Sequence, residues 1–408
     1  MKKVILSISA MLMSVIGFAQ SNTSSVSSVG TANNAAVTQT GNQNDSKVKQ
    51  LGSNFMDGGH NNDAQVMQNG KKNKSDVKQD GDRNLGSVMQ LGDKNKAKID
   101  QGVGFAEDNV ASTSQTGDMN TSSQKQRFDN NMATVTQNGD GNKAIQDQSS
   151  GPNQSPGNTA TATQNGDDNT SWQKQDGSSN NATVNQTGTN HDAVQDQMGL
   201  SNVALSNQSG DSNTSSQIQA GNGNDAYVSQ ANLNNFAAQL QIGDGNRAII
   251  WQDEPGSLGS DEAYQAQEGN ANYAAIDQGT FGNDLPAAAD FGSIDISAVG
   301  GVTVPFAPHG SNQAYQLQLG NDNKAYASQG GQLNQSLSWQ EGNANDTKSF
   351  QYGNSNFAAS GQFGEGNFSR SLQIGNGNMS GTGQYGTGNV SATFQNGTGN
   401  MALVIQSN

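Results

Sequence analysis

Glutamine recurs every eleven residues along almost the whole chain, and few folds can accommodate that spacing. Thirty such glutamines run from Gln39 to Gln406, and 24 of their 29 intervals are eleven residues long. Ser28 stands one interval before Gln39, which makes 31 units. Six residues before each marker stands Asn in 29 of the 31 units, His191 and Asp261 being the exceptions. Four residues before it stands Ala or Ser, with Gly86 and Thr347 as the other occupants. Two residues after it is usually Gly, as in Gly41, Gly139 and Gly375. The unit reads N-x-[A/S]-x-[V/Q]-x-Q-x-G-x-x.

The fixed positions lie two apart, which places them on one face of a β-strand. The residues between them vary freely, as in Met132, Thr134 and Thr136 against Lys143, Ile145 and Asp147. Fixed residues therefore face inward and variable ones face water. Seven residues make a strand and four make a turn around Gly, whose freedom suits left-handed turn conformations. No 3.6-residue stripe supports a helix. A second period of 22 sits above the first. Gln also occupies the position two before the marker at 124, 146, 173, 195, 217, 239, 265 and 316, while Val135, Val184, Val228 or Ile276 fills it in alternate units. One coil thus holds two strands. The expected fold is an all-β, cross-β, two-sheet parallel β-solenoid, with 11 residues per strand unit, 22 per coil, sixteen strands in one sheet and fifteen in the other.

The five longer intervals mark turn insertions near 53–60, 102–108, 149–157, 253–260 and 279–311. All six prolines lie in three of them, as a hydrogen-bonded ladder requires, because proline lacks an N–H. Residues 1–19 read as a signal peptide: Lys2 and Lys3, an apolar run from Val4 to Phe18, and small residues before Gln20. No later segment approaches the ~20 apolar residues of a membrane-spanning helix. Residues 20–408 form one repeat domain.

Large aliphatic residues are scarce inside. Buried amides cost roughly 2–7 kcal/mol each when unpaired, and stacking the same amide in every coil pairs them, as in steric zippers. The expected ladders include Asn131, Asn142, Asn169, Asn180, Asn213, Asn224 and Asn246. They also include Gln137, Gln148, Gln175, Gln186, Gln208, Gln219, Gln230 and Gln241, each side chain donating to its neighbour above and accepting from the one below. His191 reads as a ladder substitution rather than a metal ligand, because one His is not a site. Asp261 reads as a wet carboxylate beside an insertion, and Trp172, Trp251 and Trp339 as outward, exposed side chains.

The repeat resembles the curlin repeat of curli fibre subunits, S-x5-Q-x-G-x-[G/N]-N-x-A-x3-Q. The stretch Gln137 to Gln148 carries its Gln, Gly, Asn, Ala and closing Gln in register, and the stretches from Gln241 and Gln373 match likewise. The resemblance covers about residues 22–406. Asn usually replaces the opening Ser, and the repeats begin at Asn22, where curlin subunits carry a segment that addresses them to the export pore. The resemblance implies a left-handed coil and a secreted subunit of an extracellular amyloid fibre at the bacterial surface. It further implies a nucleator and an outer-membrane secretion machinery as partners.

The net charge of −15 and the lack of a basic stripe interleaved with aromatics give nucleic-acid binding no support. The absence of Cys excludes disulfides and thiolate sites. No paired-carboxylate or Ser-His-Asp arrangement stands out, so the reading is a structural protein, without cofactor or metal, and not an enzyme. The competing class is a non-polymerising adhesin or ligand-binding solenoid. Ice binding needs a regular outward Thr array, which Lys143, Asp147 and Lys174 interrupt. Both end strands lack the usual guards of Pro, Lys or a bulge. The expected assembly edges are Asn22, Ser24 and Val26 at one end and Asn400, Ala402, Val404 and Gln406 at the other. Proline at Ala402 and Val404 is expected to remove donors from the second edge.

Overall fold

A computed structural model describes residues 21–51, 59–102, 106–151, 155–252, 259–279 and 310–408. The signal peptide expected at 1–19 and the central parts of the insertions lie outside the described residues. The described residues form 31 strands, β1–β31, and no helix. They begin with β1 (Thr23–Ser28) and β2 (Asn34–Asn42) and end with β29 (Met379–Thr387), β30 (Val390–Thr398) and β31 (Met401–Ser407). Odd-numbered strands make a 16-stranded sheet and even-numbered strands a 15-stranded sheet, each in sequence order and each parallel throughout. The 22-residue period therefore becomes one coil: strand, turn, strand, turn.

Register is kept across the insertions. Glu262–Glu268 (β21) pairs directly with Gln313–Leu319 (β23), Gln267 opposite Gln318, although 51 residues separate them. The repeat needs only the run from Asn to Gln to stay in step, so extra turn residues can leave and return without shifting the pairing.

Most strands show the same alternation, as in Met132–Asn138, where Ala133, Val135 and Gln137 are buried and the residues between them are partly or fully exposed. Ala64, Ala133, Ala182, Ala226 and Ala248 are all within 1% of complete burial, and such small side chains let the two sheets approach closely. Beside them runs a thin aliphatic seam, Val66 and Val88 in one sheet against Val48, Val77 and Ile99 in the other. Farther along, Val228, Ile250 and Ile276 continue it on the even sheet, while glutamine replaces it on the odd sheet.

The turns need two residues with positive φ, where the sequence had suggested a single glycine. Gly199 has φ +114, and a Cβ there would collide with the carbonyl oxygen of Gly221 in the next coil. The residue just before nearly every inward Asn is also left-handed, yet it need not be Gly: Lys72 has φ 60 and Ser201 φ 57. This second position opens outward, and a Cβ built on Gly223 meets nothing within 4 Å. The first glycine is held by the stack above it, the second only by its own dihedral preference.

Gly199→Ala should therefore destabilise the solenoid by about 3 kcal/mol or more, since strain and overpacking add. Gly223→Ala should cost only about 1–2 kcal/mol, the penalty of a left-handed L-residue. Thermal unfolding followed by circular dichroism measures both, and equal losses would contradict the stacked-turn account.

Candidate functional site

The chemistry-bearing groups are the inward amides and the two open ends of the sheets. All fifteen ladder amides named from the sequence are at most 2% exposed. In the odd sheet each Gln side chain donates from Nε2 to Oε1 of its equivalent in the next coil, as Gln148 to Gln175 (2.9 Å), Gln175 to Gln197 (2.9 Å) and Gln219 to Gln241 (2.9 Å). In the even sheet Gln137 donates to Gln164 (2.8 Å), Gln186 to Gln208 (2.9 Å) and Gln208 to Gln230 (3.0 Å). A third column joins Gln124, Gln146, Gln173, Gln195, Gln217, Gln239, Gln265 and Gln316 in the odd sheet.

The second Nε2 hydrogen is used as well. Gln186 donates to Thr170 O (2.8 Å) and Gln208 to Asp192 O (2.9 Å), both on the facing sheet. The amide thus binds one coil to the next and one sheet to the other. At the base of the odd column Ser28 stands below Gln50, and Gln50 Oε1 is buried without a partner.

The asparagine columns keep an amide-to-amide bond in many coils but reverse its expected direction, the upper Nδ2 donating to the Oδ1 below, as Asn169 to Asn142 and Asn224 to Asn202 (both 3.1 Å), and they add backbone bonds to it. The Asn Oδ1 accepts the backbone N–H of the next Asn, as Asn142 does from Asn169 (3.0 Å) and Asn180 from Asn202 (3.0 Å). Its Nδ2 donates to a turn glycine carbonyl, as Asn169 to Gly188 (2.9 Å) and Asn224 to Gly243 (2.7 Å). The side chains of Asn131, Asn213 and Asn246 accept in the same way from Asn158, Asn235 and Asn272. Asn pins the turn to the stack, and Gln pins the strands.

Two substitutions test this rule. His191 is 1% exposed, and its Nδ1 accepts the Asn213 N–H at 3.3 Å while Nε2 faces Thr187 O at 3.2 Å. The ring with its proton on Nε2 supplies one acceptor and one donor, as the amide does. Burial lowers its pKa and keeps it neutral. Asp261 corrects the wet-carboxylate expectation. It is 1% exposed, and its Oδ1 accepts from Asn312 N (2.8 Å) and Nδ2 (3.1 Å). Desolvation pushes its pKa from 3.8 up to about 7. Asp261 thus fills the acceptor half of the ladder place through Oδ1, while burial raises its affinity for a proton.

Outside the sheets, Arg127 pairs with Asp147 (3.3 Å) and Lys174 with Asp196 (3.4 Å), both half-exposed. The outward aromatics depart from expectation at one place. Trp251 lies in a cluster with Ile249, Tyr326, Phe350, Tyr352 and Leu372, all 3–7% exposed, whereas Trp339 is 44% exposed. On the odd sheet, rings stack along the axis, Tyr264 on Tyr315 at 4.8 Å and Phe363 on Tyr385 at 5.2 Å. These rows are legible in the sequence only when coils are aligned at 22 residues. Among the described residues no group of three His, Asp or Glu side chains is placed to hold a metal ion, and no helix is long and apolar enough to cross a membrane.

The ends differ from the middle. Every residue of β1 is exposed, and β31 alternates between exposed and half-buried. Among the described residues, strands β1 and β2 have partners on one side only, as do β30 and β31. Met379 N–H donates to Asn400 O at 2.8 Å, and bonding alternates along a parallel strand. The N–H groups of Met401, Leu403 and Ile405 therefore face the open side, while those of Ala402 and Val404 pair with β29. This corrects the expected proline positions. At the opposite edge Thr23 N–H points inward to Asn44 O, which leaves the backbone of Ser24 and Val26 facing out.

The family model of the curlin associated repeat matches residues 73–102. That stretch runs from the ladder residue Asn73 through Lys74–Asp80 (β5), Leu85–Leu91 (β6) and Lys96–Gln101 (β7), one and a half coils. The same hydrogen bonds recur in the coils outside it. No curated protein matches the chain.

Replacing Gln186, Gln208 and Gln230 together by Leu should cost several kcal/mol, about 1–3 for each broken buried set. Replacing outward Lys143, Asp147 and Lys174 by Ser should cost less than about 1 kcal/mol. Chemical denaturation compares the two, and equal losses would refute the assigned faces. The two substituted ladder sites should also give opposite pH dependences. The folded state holds the Asp261 proton more tightly than the unfolded chain, so that contribution is full below pH 3.8 and lost as pH rises to about 7. Asp261→Asn should gain up to about 4 kcal/mol above that range. His191 binds its proton less tightly when folded, so its contribution is lost as pH falls below 6.5. His191→Asn should remove that acid-side loss. Unfolding curves between pH 4 and 8 read both, and unchanged profiles would refute the neutral-ladder account.

Proposed function

We propose that this chain, a β-solenoid carrying the curlin associated repeat, is a structural subunit of an extracellular curli-type amyloid fibre and assembles by end-to-end stacking. The observation that supports this most is the pair of open ends. A parallel stack with unguarded strand edges templates further pairing, and solenoids that remain single units cap their terminal repeats. Among the described residues β1 is exposed throughout and no strand opposes the outward N–H groups of β31.

The columns reinforce the direction of growth. Every glutamine presents nitrogen toward the C-terminal end and oxygen toward the N-terminal end, so the two ends are complementary rather than alike. Head-to-tail contact extends the sheets by the same backbone bonds that hold the subunit together. Curlin-type subunits act at the cell surface, where a nucleator and an outer-membrane export machinery would handle this chain, and the signal-like segment at 1–19 agrees with export. The role is mechanical: a proteolysis-resistant fibre of the biofilm matrix, with no chemistry performed on a substrate.

Purified residues 20–408 should form long, dye-binding fibres with a cross-β signal. Leu403→Pro with Ile405→Pro removes two donors from the open side of β31 and leaves its bonds to β29 in place. The variant should keep its β-content by circular dichroism while electron microscopy shows short fibres or none, and it should arrest growing wild-type ends. Discrete rods from the wild type would favour the non-polymerising adhesin. Undiminished fibres from the double-proline chain would refute growth through this edge.

A further inference from the structure

The two open edges carry a parity problem that determines how copies meet. Thirty-one strands lie between them, an odd number, so the odd sheet ends one strand above the even sheet. If the next copy continued in the same orientation, its β1 would sit on β31, and its β2 would stand two places above β30. One strand position in the even sheet would be empty, and the outward backbone groups on both sides of the gap would lack partners. Buried backbone groups in native structures are almost always paired.

We infer that successive copies are related by a half-turn about the fibre axis, so that the odd sheet of one copy continues the even sheet of its neighbour. The inference rests on the end-to-end reading. After a half-turn the next copy's β1 lies on β30 and its β2 on β31, and no place is vacant. The register set by the existing pairs places Asn34 opposite Met401, and the inward residues then match in type. Ala35 falls on Ala402, Val37 on Val404, and Gln39 on Gln406. Gln39 is the lowest glutamine of its column and Gln406 the highest of the other, so the half-turn joins two glutamine columns directly. Either junction sets Ser28, too short to continue a column, on one terminal glutamine, Gln395 after the half-turn and Gln406 in the same orientation. Only the half-turn gives the other terminal glutamine a glutamine partner; same-orientation stacking leaves Gln39 above the vacant place.

The asparagine columns agree. Asn378 Oδ1 accepts Asn400 N–H at 3.1 Å, and Asn367 Oδ1 accepts Asn389 N–H at 3.0 Å. At the junction Asn400 and Asn389 hold the terminal oxygens. The half-turn brings them the N–H groups of Asn33 and Asn22 of the next copy, which face the opposite open edge. Same-orientation stacking supplies a partner to Asn400 and none to Asn389. A two-fold screw then relates neighbours, and the axial repeat per copy is fifteen and a half strand spacings.

Cysteine cross-linking separates the two junctions, and the chain has no cysteine of its own. Facing residues on adjacent strands lie within the ~4.4–6.8 Å Cα separation of a disulfide. Ser27→Cys with Phe394→Cys forms an intermolecular bond only across the half-turn junction, and Ser27→Cys with Ile405→Cys only across the same-orientation one. All three positions face outward. Fibres of the first double variant, oxidised and boiled in detergent, should run as a ladder of covalent multimers, while the second should remain monomeric. The reverse pattern overturns the half-turn, and so does a ladder from neither variant when electron microscopy shows fibres. Absence of fibres in both variants and in the wild type overturns the end-to-end reading and the junction with it.

Discussion

An in-register parallel stack forces every inward side chain to lie against its own equivalent one coil away, and the rest of this protein follows from that. A side chain in such a column must complement itself. The amide does so, because it carries a donor at one atom and an acceptor at the other. Gln126 donates to Gln148 and Gln148 to Gln175 with the same geometry, at 3.0 and 2.9 Å. An unpaired amide at the same depth would be costly. The interior can therefore be built of polar groups, with alanine and serine to let the sheets close and only a thin seam of Val and Ile.

The same constraint explains what the chain tolerates. A ladder place requires one acceptor toward the next coil and one donor toward the turn, and amide identity is secondary. His191 offers both as a neutral imidazole, and Asp261 supplies the acceptor through Oδ1 with a raised affinity for its proton. Insertions are tolerated because pairing is counted from Asn to Gln, and a loop that leaves after Gln does not alter that count. Outward residues are free to be Lys, Asp, Tyr or Trp, since on the outer face a side chain meets water or its neighbours along the axis.

Directionality is the functional consequence. All glutamine nitrogens point one way, so the stack has a polar sense even though its backbone edges are similar. In the proposed fibre such a stack would add units head to tail, and the number of strands would decide the rotation between them. Fibre geometry would then rest on a count of repeats and on no specialised interface residue.

The sequence by itself determined the strand faces, the two-strand coil, the sixteen-and-fifteen division and the identity of the buried amides, because each depends only on periods of two, eleven and 22. Those periods survive any local irregularity, so counting alone reaches them. The tertiary structure decided what counting cannot. It showed that Asn Oδ1 takes the backbone N–H of the next Asn, in many coils together with its Nδ2, while Gln donates to Gln in the opposite sense, because side-chain length sets which partners lie in reach. It turned Asp261 from a wet group into a buried acid, since burial depends on what surrounds a residue beside an insertion. It covered Trp251 and left Trp339 exposed, although both occupy the same outward position of the repeat. And it assigned the open-edge donors to Leu403 and Ile405 rather than Ala402 and Val404, because the direction in which a backbone N–H points is set by pairing to the strand below, a relation that exists only once the chain has coiled.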